Sequence, residues 1–125
     1  MNVSIPVTLT GKVLHGKALG RTIDMPTANI IPKEDISGLA YGVYYSRVTV
    51  EGSSYKAITN IGRKPTVKDS DEVNVESFLY DFDGELYEKE ISVELLEFRR
   101  PEKKFSSFEE LTKEMHKDLQ AGKEY

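Results

Sequence analysis

Residues 43–61 decide the fold, and they read V-Y-Y-S-R-V-T-V-E-G-S-S-Y-K-A-I-T-N-I. β-Branched and aromatic residues dominate residues 43–50 and 55–61, which is typical of strands. The intervening E-G-S-S of residues 51–54 is typical of a hairpin loop. This stretch therefore predicts two antiparallel neighbours and a protein built mainly from short strands.

A second hairpin is predicted downstream. Residues 73–82 and 85–98 flank Asp83-Gly84, the pair favoured where two successive residues need positive φ. Within the second of these segments apolar and polar residues alternate, as in a strand with one buried face. We expect the two segments to pair with each other.

The C-terminal segment changes to a helical period. Its predicted apolar face consists of Phe108, Leu111, Met115 and Leu119. Ser107 and Glu110 have the form of a capping box, and Gly122 is a plausible helix stop. Short strands followed by one helix predict a small antiparallel barrel, with the helix packed outside it or across one end.

The composition limits the possible functions. The 125 residues suit one domain over 1–125, and 38% hydrophobic content is enough for a real core. A net charge of −4 disfavours non-specific electrostatic binding to nucleic acid or to an anionic membrane. The absence of cysteine excludes disulfides and thiol chemistry. With no signal-like or membrane-spanning segment, we expect a cytoplasmic monomer that binds small molecules.

A glycine-rich connection at residues 16–25 is a candidate phosphate loop. Residues 11–18 imitate a P-loop but have Ala18 where a magnesium-binding hydroxyl belongs, so a true P-loop is not expected. Backbone N–H groups around Gly16 and Gly20, with Lys17 and Arg21, could still face a polyphosphate. From the residues alone, a turn with solvated lysines is the favoured alternative.

Thr27 and Asn29 are candidate magnesium ligands. Pro26 stiffens the chain, and in an extended segment Thr27 and Asn29 point to the same side. Two neutral oxygens can complete the shell of a Mg²⁺ ion that takes its other ligands from phosphates and water. The alternative is that both side chains only satisfy the backbone of a turn.

Glu76 is the candidate general base. In an extended strand it shares a face with Phe78 and lies opposite Val75. A carboxylate between apolar surroundings can have a raised pKa and accept a proton from a hydroxyl group. A solvated strand glutamate is the ordinary alternative.

Several ordered motifs together resemble the riboflavin kinases, most closely the kinase module in the C-terminal half of bacterial bifunctional FAD synthetases. The motifs are Gly11-Lys12-Val13, His15-Gly16, Gly20-Arg21-Thr22, Pro26-Thr27-Ala28-Asn29, Gly42-Val43-Tyr44, Asn60-Ile61-Gly62-Arg63-Lys64-Pro65-Thr66, Val75-Glu76, Leu86-Tyr87 and Arg100-Pro101-Glu102 with Phe105. They span nearly the whole chain.

The resemblance implies a six-stranded Greek-key barrel that transfers the γ-phosphate of ATP to the ribityl 5′-hydroxyl of riboflavin, giving FMN and ADP. It implies Mg²⁺ bound by Thr27 and Asn29, and Glu76 as the base. The same resemblance implies that residues 16–21 fold over the nucleotide phosphates. Asn60 and Gly62 would border the ATP site, and Arg100 would lie near the flavin or phosphate end.

Two positions depart from the family pattern. Asp24 stands where the family usually has glycine before the P-T-A-N motif, and Glu88 stands where a glycine commonly follows the Leu-Tyr pair. The main alternative function is therefore a non-catalytic flavin- or nucleotide-binding module with the same fold. A barrel that binds single-stranded nucleic acid is a third alternative, which the charge of −4 disfavours.

Overall fold

The computed structural model of the chain describes residues 5–14, 25–63 and 73–125. These residues form six strands and one helix. The elements are β1 (Val7–Lys12), β2 (Thr27–Ile30), β3 (Gly42–Val50), β4 (Ser53–Arg63), β5 (Val73–Leu79), β6 (Glu90–Pro101) and α1 (Phe108–Glu124).

All six strands belong to one antiparallel sheet with the order β1-β6-β3-β4-β5-β2. The two outermost strands of this order approach each other. The Leu14 N–H donates to the Asn29 carbonyl at 2.8 Å, and the Lys33 N–H donates to the Thr10 carbonyl at 2.9 Å. The sheet therefore curls into a half-barrel, which confirms the predicted mainly β class with six antiparallel strands and a C-terminal helix.

The hairpin at residues 43–61 is confirmed, with a tighter turn than its sequence suggested. Glu51 (φ 49°) and Gly52 (φ 82°) form the turn, and Val50 pairs directly with Ser53. Two successive residues with positive φ match the right-handed twist of the flanking strands. Ser53 and Ser54, expected in the loop, therefore belong to β4.

The predicted hairpin around Asp83-Gly84 is wrong. β5 pairs with β4 and β2, whereas β6 pairs with β1 and β3. Gly84 does have positive φ (132°), but it belongs to a long connection that carries the chain from one part of the sheet to another. A turn signal specifies local backbone geometry and leaves open which strands become neighbours.

The largely apolar barrel interior contains a row of three hydroxyl groups. Ser46 and Thr59 are joined by a hydrogen bond of 2.7 Å, and Thr59 and Ser77 by one of 2.8 Å. All three side chains are at most 1% exposed. Buried hydroxyls are tolerated when they bond to each other, so this row links β3, β4 and β5 without leaving an unpaired polar group among them.

The helix begins as predicted but does not end where predicted. The Glu110 N–H donates to the Ser107 hydroxyl at 3.1 Å, which caps the first turn, while the Glu110 carboxylate accepts from Ser106. Gly122, the expected stop, lies inside the helix. A Cβ at Gly122 would lie 2.3 Å from the Tyr80 hydroxyl oxygen, so the glycine allows the helix to approach the sheet.

Candidate active site

Four of the predicted site residues lie in one row across the outer face of the sheet. In the strand register, Asn29 pairs with Glu76, Glu76 with Asn60, Asn60 with Val43, and Val43 with Arg100. These residues come from five different strands. Because paired residues of neighbouring strands project to the same face, the fold brings their side chains together.

Thr27 lies beside this row on β2. It pairs with Phe78 of β5, is 7% exposed, and donates its hydroxyl to the Met25 carbonyl at 3.3 Å. The Asn29 Oδ1 accepts from the Asn74 amide at 3.2 Å. The inward-facing neighbours Ala28 and Ile30 are fully buried, so Thr27 and Asn29 share the outer face as expected.

Glu76 lies between Asn29 and Asn60 in the row and is 7% exposed. Its neighbours in the strand confirm the predicted alternation, since Val75 lies in the barrel core and Phe78 in a separate apolar cluster beneath the helix. A carboxylate at this position is largely removed from bulk water while it remains adjacent to the amides of Asn29 and Asn60 in register.

A cleft of about 140 Å³ lies between the outer face of the sheet and α1. Its apolar residues are Val43, Ile58, Phe78, Phe105, Leu111, Met115 and Leu119. Its polar residues are Asn60, Glu76, Arg100, Glu102, Lys103 and Asp118. The cleft can therefore cover an apolar molecule and present polar groups at its edge, which is the usual composition of a small-molecule site.

Gly62 lies beyond Asn60 on β4 and pairs with Asn74. A Cβ at Gly62 would lie 2.6 Å from a carboxylate oxygen of Glu102, a residue that lines the cleft. The predicted site residue Gly62 therefore leaves space that the Glu102 carboxylate occupies against the sheet.

Arg100 makes its strongest contacts with α1. Its Nε and Nη2 atoms donate to the two carboxylate oxygens of Asp118 at 2.9 and 2.7 Å. The hydrogen bonds that Arg100 donates to Asp118 raise the pKa of Arg100 above its usual value. The guanidinium group thus remains charged and has a fixed orientation at the edge of the cleft.

Sequence reasoning missed the contribution of the helix to this site. Leu111 and Met115 were expected only to pack, and Asp118 was not singled out. A signal was present, because Asp118 is a charged residue on the same helical face as Leu111 and Met115. Phe108, predicted on that face, is 59% exposed.

Gly16, Lys17, Gly20 and Arg21 lie outside the described residues, and so does Asp24. Their predicted positions beside a phosphate stay predictions. Glu88 is described, and it has a positive φ of 67°.

The predicted Mg²⁺ ligands suit that ion chemically. Thr27 and Asn29 offer neutral, hard oxygen atoms from the same face of β2. Among residues 5–14, 25–63 and 73–125, no three acidic or histidine side chains gather as a protein-only metal site. An ion here would therefore need most of its ligands from phosphate and water, as Mg²⁺ in kinases usually does.

Over those same ranges, no helix is both long and apolar enough to cross a membrane.

The sequence model of the flavokinase family, described as riboflavin kinase, matches residues 3–125. The chain belongs to the riboflavin kinase family. It is 38% identical over 115 residues to a bifunctional riboflavin kinase/FMN adenylyltransferase of Listeria monocytogenes, covering 92% of this chain and 37% of the relative. It is 41% identical over 111 residues to an RNA-binding riboflavin kinase of Bacillus subtilis, covering 89% and 47%. The chain thus spans less than half the length of these relatives.

Two solved structures share the fold. A Streptococcus pneumoniae structure described as a macrolide-efflux protein superposes with a TM-score of 0.82 at 31% identity, covering 96% of this chain and 39% of the other. A riboflavin kinase from Trypanosoma brucei superposes with a TM-score of 0.58 at 24% identity, covering 94% and 77%. The second likeness supports the barrel with its terminal helix.

Proposed function

We propose that this chain is an ATP-dependent riboflavin kinase, which transfers the γ-phosphate of ATP to the ribityl 5′-hydroxyl of riboflavin and releases FMN and ADP. The observation that carries the proposal is the row of Asn29, Glu76, Asn60 and Arg100, which runs along the sheet into the cleft beneath α1. Membership of the riboflavin kinase family supports the same reaction.

Glu76 is proposed as the general base. It lines the cleft, is 7% exposed and lies on a strand, so its backbone position is fixed by two neighbouring strands. Its carboxylate would accept the proton of the ribityl 5′-hydroxyl and orient the oxygen toward the γ-phosphorus. Phosphoryl transfer depends mainly on such positioning and on charge neutralisation.

Thr27 and Asn29 are proposed to hold the metal ion. Their oxygens lie on the same face as Glu76, and Asn29 pairs with Glu76 in register. A bound Mg²⁺ would neutralise phosphate charge during the transfer. The chain's own contribution is to place the nucleotide phosphates next to the base, with Asn60 at the border of the ATP site.

The apolar wall of the cleft is proposed to cover the flavin ring. Phe78 and Ile58 on the sheet face Met115 and Leu119 on the helix, and these four side chains pack in one cluster. Burial of a planar ring against them would be driven by removal of apolar surface from water. Arg100 would supply polar atoms that fix its orientation.

Purified protein incubated with riboflavin, ATP and Mg²⁺ should produce FMN, measured by chromatography. Glu76→Gln should lower turnover by about 10²–10⁴-fold while riboflavin still binds, because the substitution keeps the shape and removes the base. Glu97→Gln is the matched control, since Glu97 is an exposed residue of β6 that does not line the cleft.

Three outcomes would contradict this function. Full activity in Glu76→Gln would exclude the proposed base. Quenching of riboflavin fluorescence without FMN formation would favour a non-catalytic flavin-binding module. Absence of both fluorescence quenching and FMN formation would exclude riboflavin as the substrate.

The expected partners are ATP and riboflavin. Because the chain spans 37% of a bifunctional relative, it can also function as one module of a longer synthetase. The expectation that it binds no nucleic acid stays a prediction, and one of its relatives is described as RNA-binding. Salt-sensitive binding of an oligonucleotide would contradict that expectation.

A further inference from the structure

Two consecutive arginines of β6 reach the same side of the sheet. Regular alternation would place neighbouring side chains on opposite faces. Here Arg100 pairs with Val43 and Phe98 pairs with Tyr44, so Arg99 is an extra residue opposite the β3 strand. Such a bulge re-aims the side chains next to it. Arg99 and Arg100 can therefore both reach α1.

Both guanidinium groups meet at one carboxylate. Asp118 Oδ1 accepts from Arg99 Nε and from Arg100 Nε, each at 2.9 Å, and Asp118 Oδ2 accepts from Arg100 Nη2 at 2.7 Å. Asp118 is 4% exposed. A carboxylate this deeply buried is stable only when paired, and the two arginines supply that pairing.

The two arginines differ in what else they contact. Arg100 lines the cleft together with Glu76 and Asp118. Arg99 does not line it, and instead donates to the Tyr45 hydroxyl at 3.2 Å. Asp118 thus connects an arginine of the site to one outside it.

We propose that Asp118 is a positioning residue for substrate binding, which fixes the guanidinium of Arg100 in the orientation that contacts riboflavin. A free arginine side chain samples many rotamers, and a bidentate carboxylate restricts it to one. The inference rests on the proposed function, because it takes Arg100 to contact that substrate. The Glu114 carboxylate, 4.0 Å from Arg100 Nε, is too distant to replace the bidentate pair.

Asp118→Asn tests this inference. An asparagine keeps the shape, but in either orientation of its amide an NH₂ group faces an arginine N–H, so the bidentate pair cannot form. We expect the KM for riboflavin to rise about tenfold, because a misplaced Arg100 loses a charge-assisted hydrogen bond to the substrate. The kcat should change far less, because Glu76 is untouched. Asp118→Glu, which keeps the charge and shifts the carboxylate, is the second variant if the asparagine variant does not fold.

Two further variants separate positioning from stability. Tyr80→Phe removes the 2.6 Å hydrogen bond from Tyr80 to the Leu119 carbonyl and loosens the same helix without replacing a side chain that lines the cleft. It should lower the melting temperature and leave the riboflavin KM unchanged. In an Arg100→Gln background, Asp118→Asn should produce no further rise in KM, because its effect acts through Arg100.

An unchanged riboflavin KM in folded Asp118→Asn overturns the inference, whatever its melting temperature. The inference is also overturned if Asp118→Asn raises the riboflavin KM tenfold in the Arg100→Gln background. Failure of the proposed function is distinguishable, because it appears in the unaltered chain as an absence of FMN.

Discussion

Replacement of Gly122 by alanine tests how closely α1 packs on the sheet. In an exposed helix interior, Gly→Ala stabilises a protein by about 1 kcal/mol, because alanine has the higher helix propensity. At Gly122 the added Cβ would lie 2.3 Å from the Tyr80 hydroxyl oxygen, 2.5 Å from Ile58 Cγ1 and 2.7 Å from Ile58 Cδ1. These contacts are too short to persist, so either the helix or Tyr80 must move.

The expected loss follows from these contacts. Overpacking at a buried contact costs about 1–3 kcal/mol, and loss of the bond from Tyr80 to the Leu119 carbonyl costs about 1 kcal/mol more. The propensity gain of about 1 kcal/mol offsets part of this. We therefore expect Gly122→Ala to lower the free energy of unfolding by about 2 kcal/mol.

Urea denaturation followed by circular dichroism measures this change, with Lys113→Ala as an exposed control in the same helix. Burial and the nearby Asp118 charge raise the pKa of Tyr80 to about 12, so a helix that moves away should also lower this pKa. A more stable Gly122→Ala protein would refute the reasoning, because it would mean that the helix does not lie against Tyr80 and Ile58.

Two further predictions concern Glu88 and Glu34. Glu88 has a φ of 67°, a backbone conformation that residues with a side chain rarely adopt. Glu88→Gly should therefore raise the free energy of unfolding, measured by urea denaturation, by about 1 kcal/mol. A loss of stability in this variant would mean that Glu88 has no backbone strain. Partial burial raises the pKa of Glu34, but bonds from the Thr10 hydroxyl and N–H outweigh this, so the pKa lies below its ordinary 4.5. Because the pKa of Glu34 is lower in the folded state, ionised Glu34 stabilises the protein above pH 4.5. This stabilisation is lost as the pH falls through the lowered pKa. Thr10→Val should therefore be less stable than the original chain at pH 7, with a difference that shrinks at acidic pH; a pH-independent difference would contradict this.

The sequence predicted the elements better than their arrangement. The hairpin of β3 and β4 was predictable because strand propensity and turn residues lie within one short segment. The pairing of β5 with β2, and of β6 with β1 and β3, was not predictable, because these partners lie far along the chain and the Asp83-Gly84 turn gives no information about them. Gly122 was misread for a related reason, since a glycine required by close packing looks the same as one required by a helix end.

The residues of the candidate site also differ in whether the sequence alone identifies them. Glu76 and Asn29 were identifiable from strand alternation and motif resemblance, and the register shows them paired. Asp118 shares a helical face with Leu111 and Met115, but its contact with Arg100 depends on how α1 docks on the sheet, which no local pattern specifies. Contacts created by register and by helix docking are tertiary properties, and a single sequence specifies them only through the complete fold.

The row of polar residues also fixes the distances between the functional groups of the site. Neighbouring strands lie about 4.8 Å apart, so Glu76 and Arg100, separated by three strand spacings, lie roughly 14 Å apart along the sheet. No rotation of a loop can change this distance, because a change would break a continuous ladder of backbone hydrogen bonds. Adjustment to ligands of different size must therefore come from α1 and the connections around it, while the sheet remains constant.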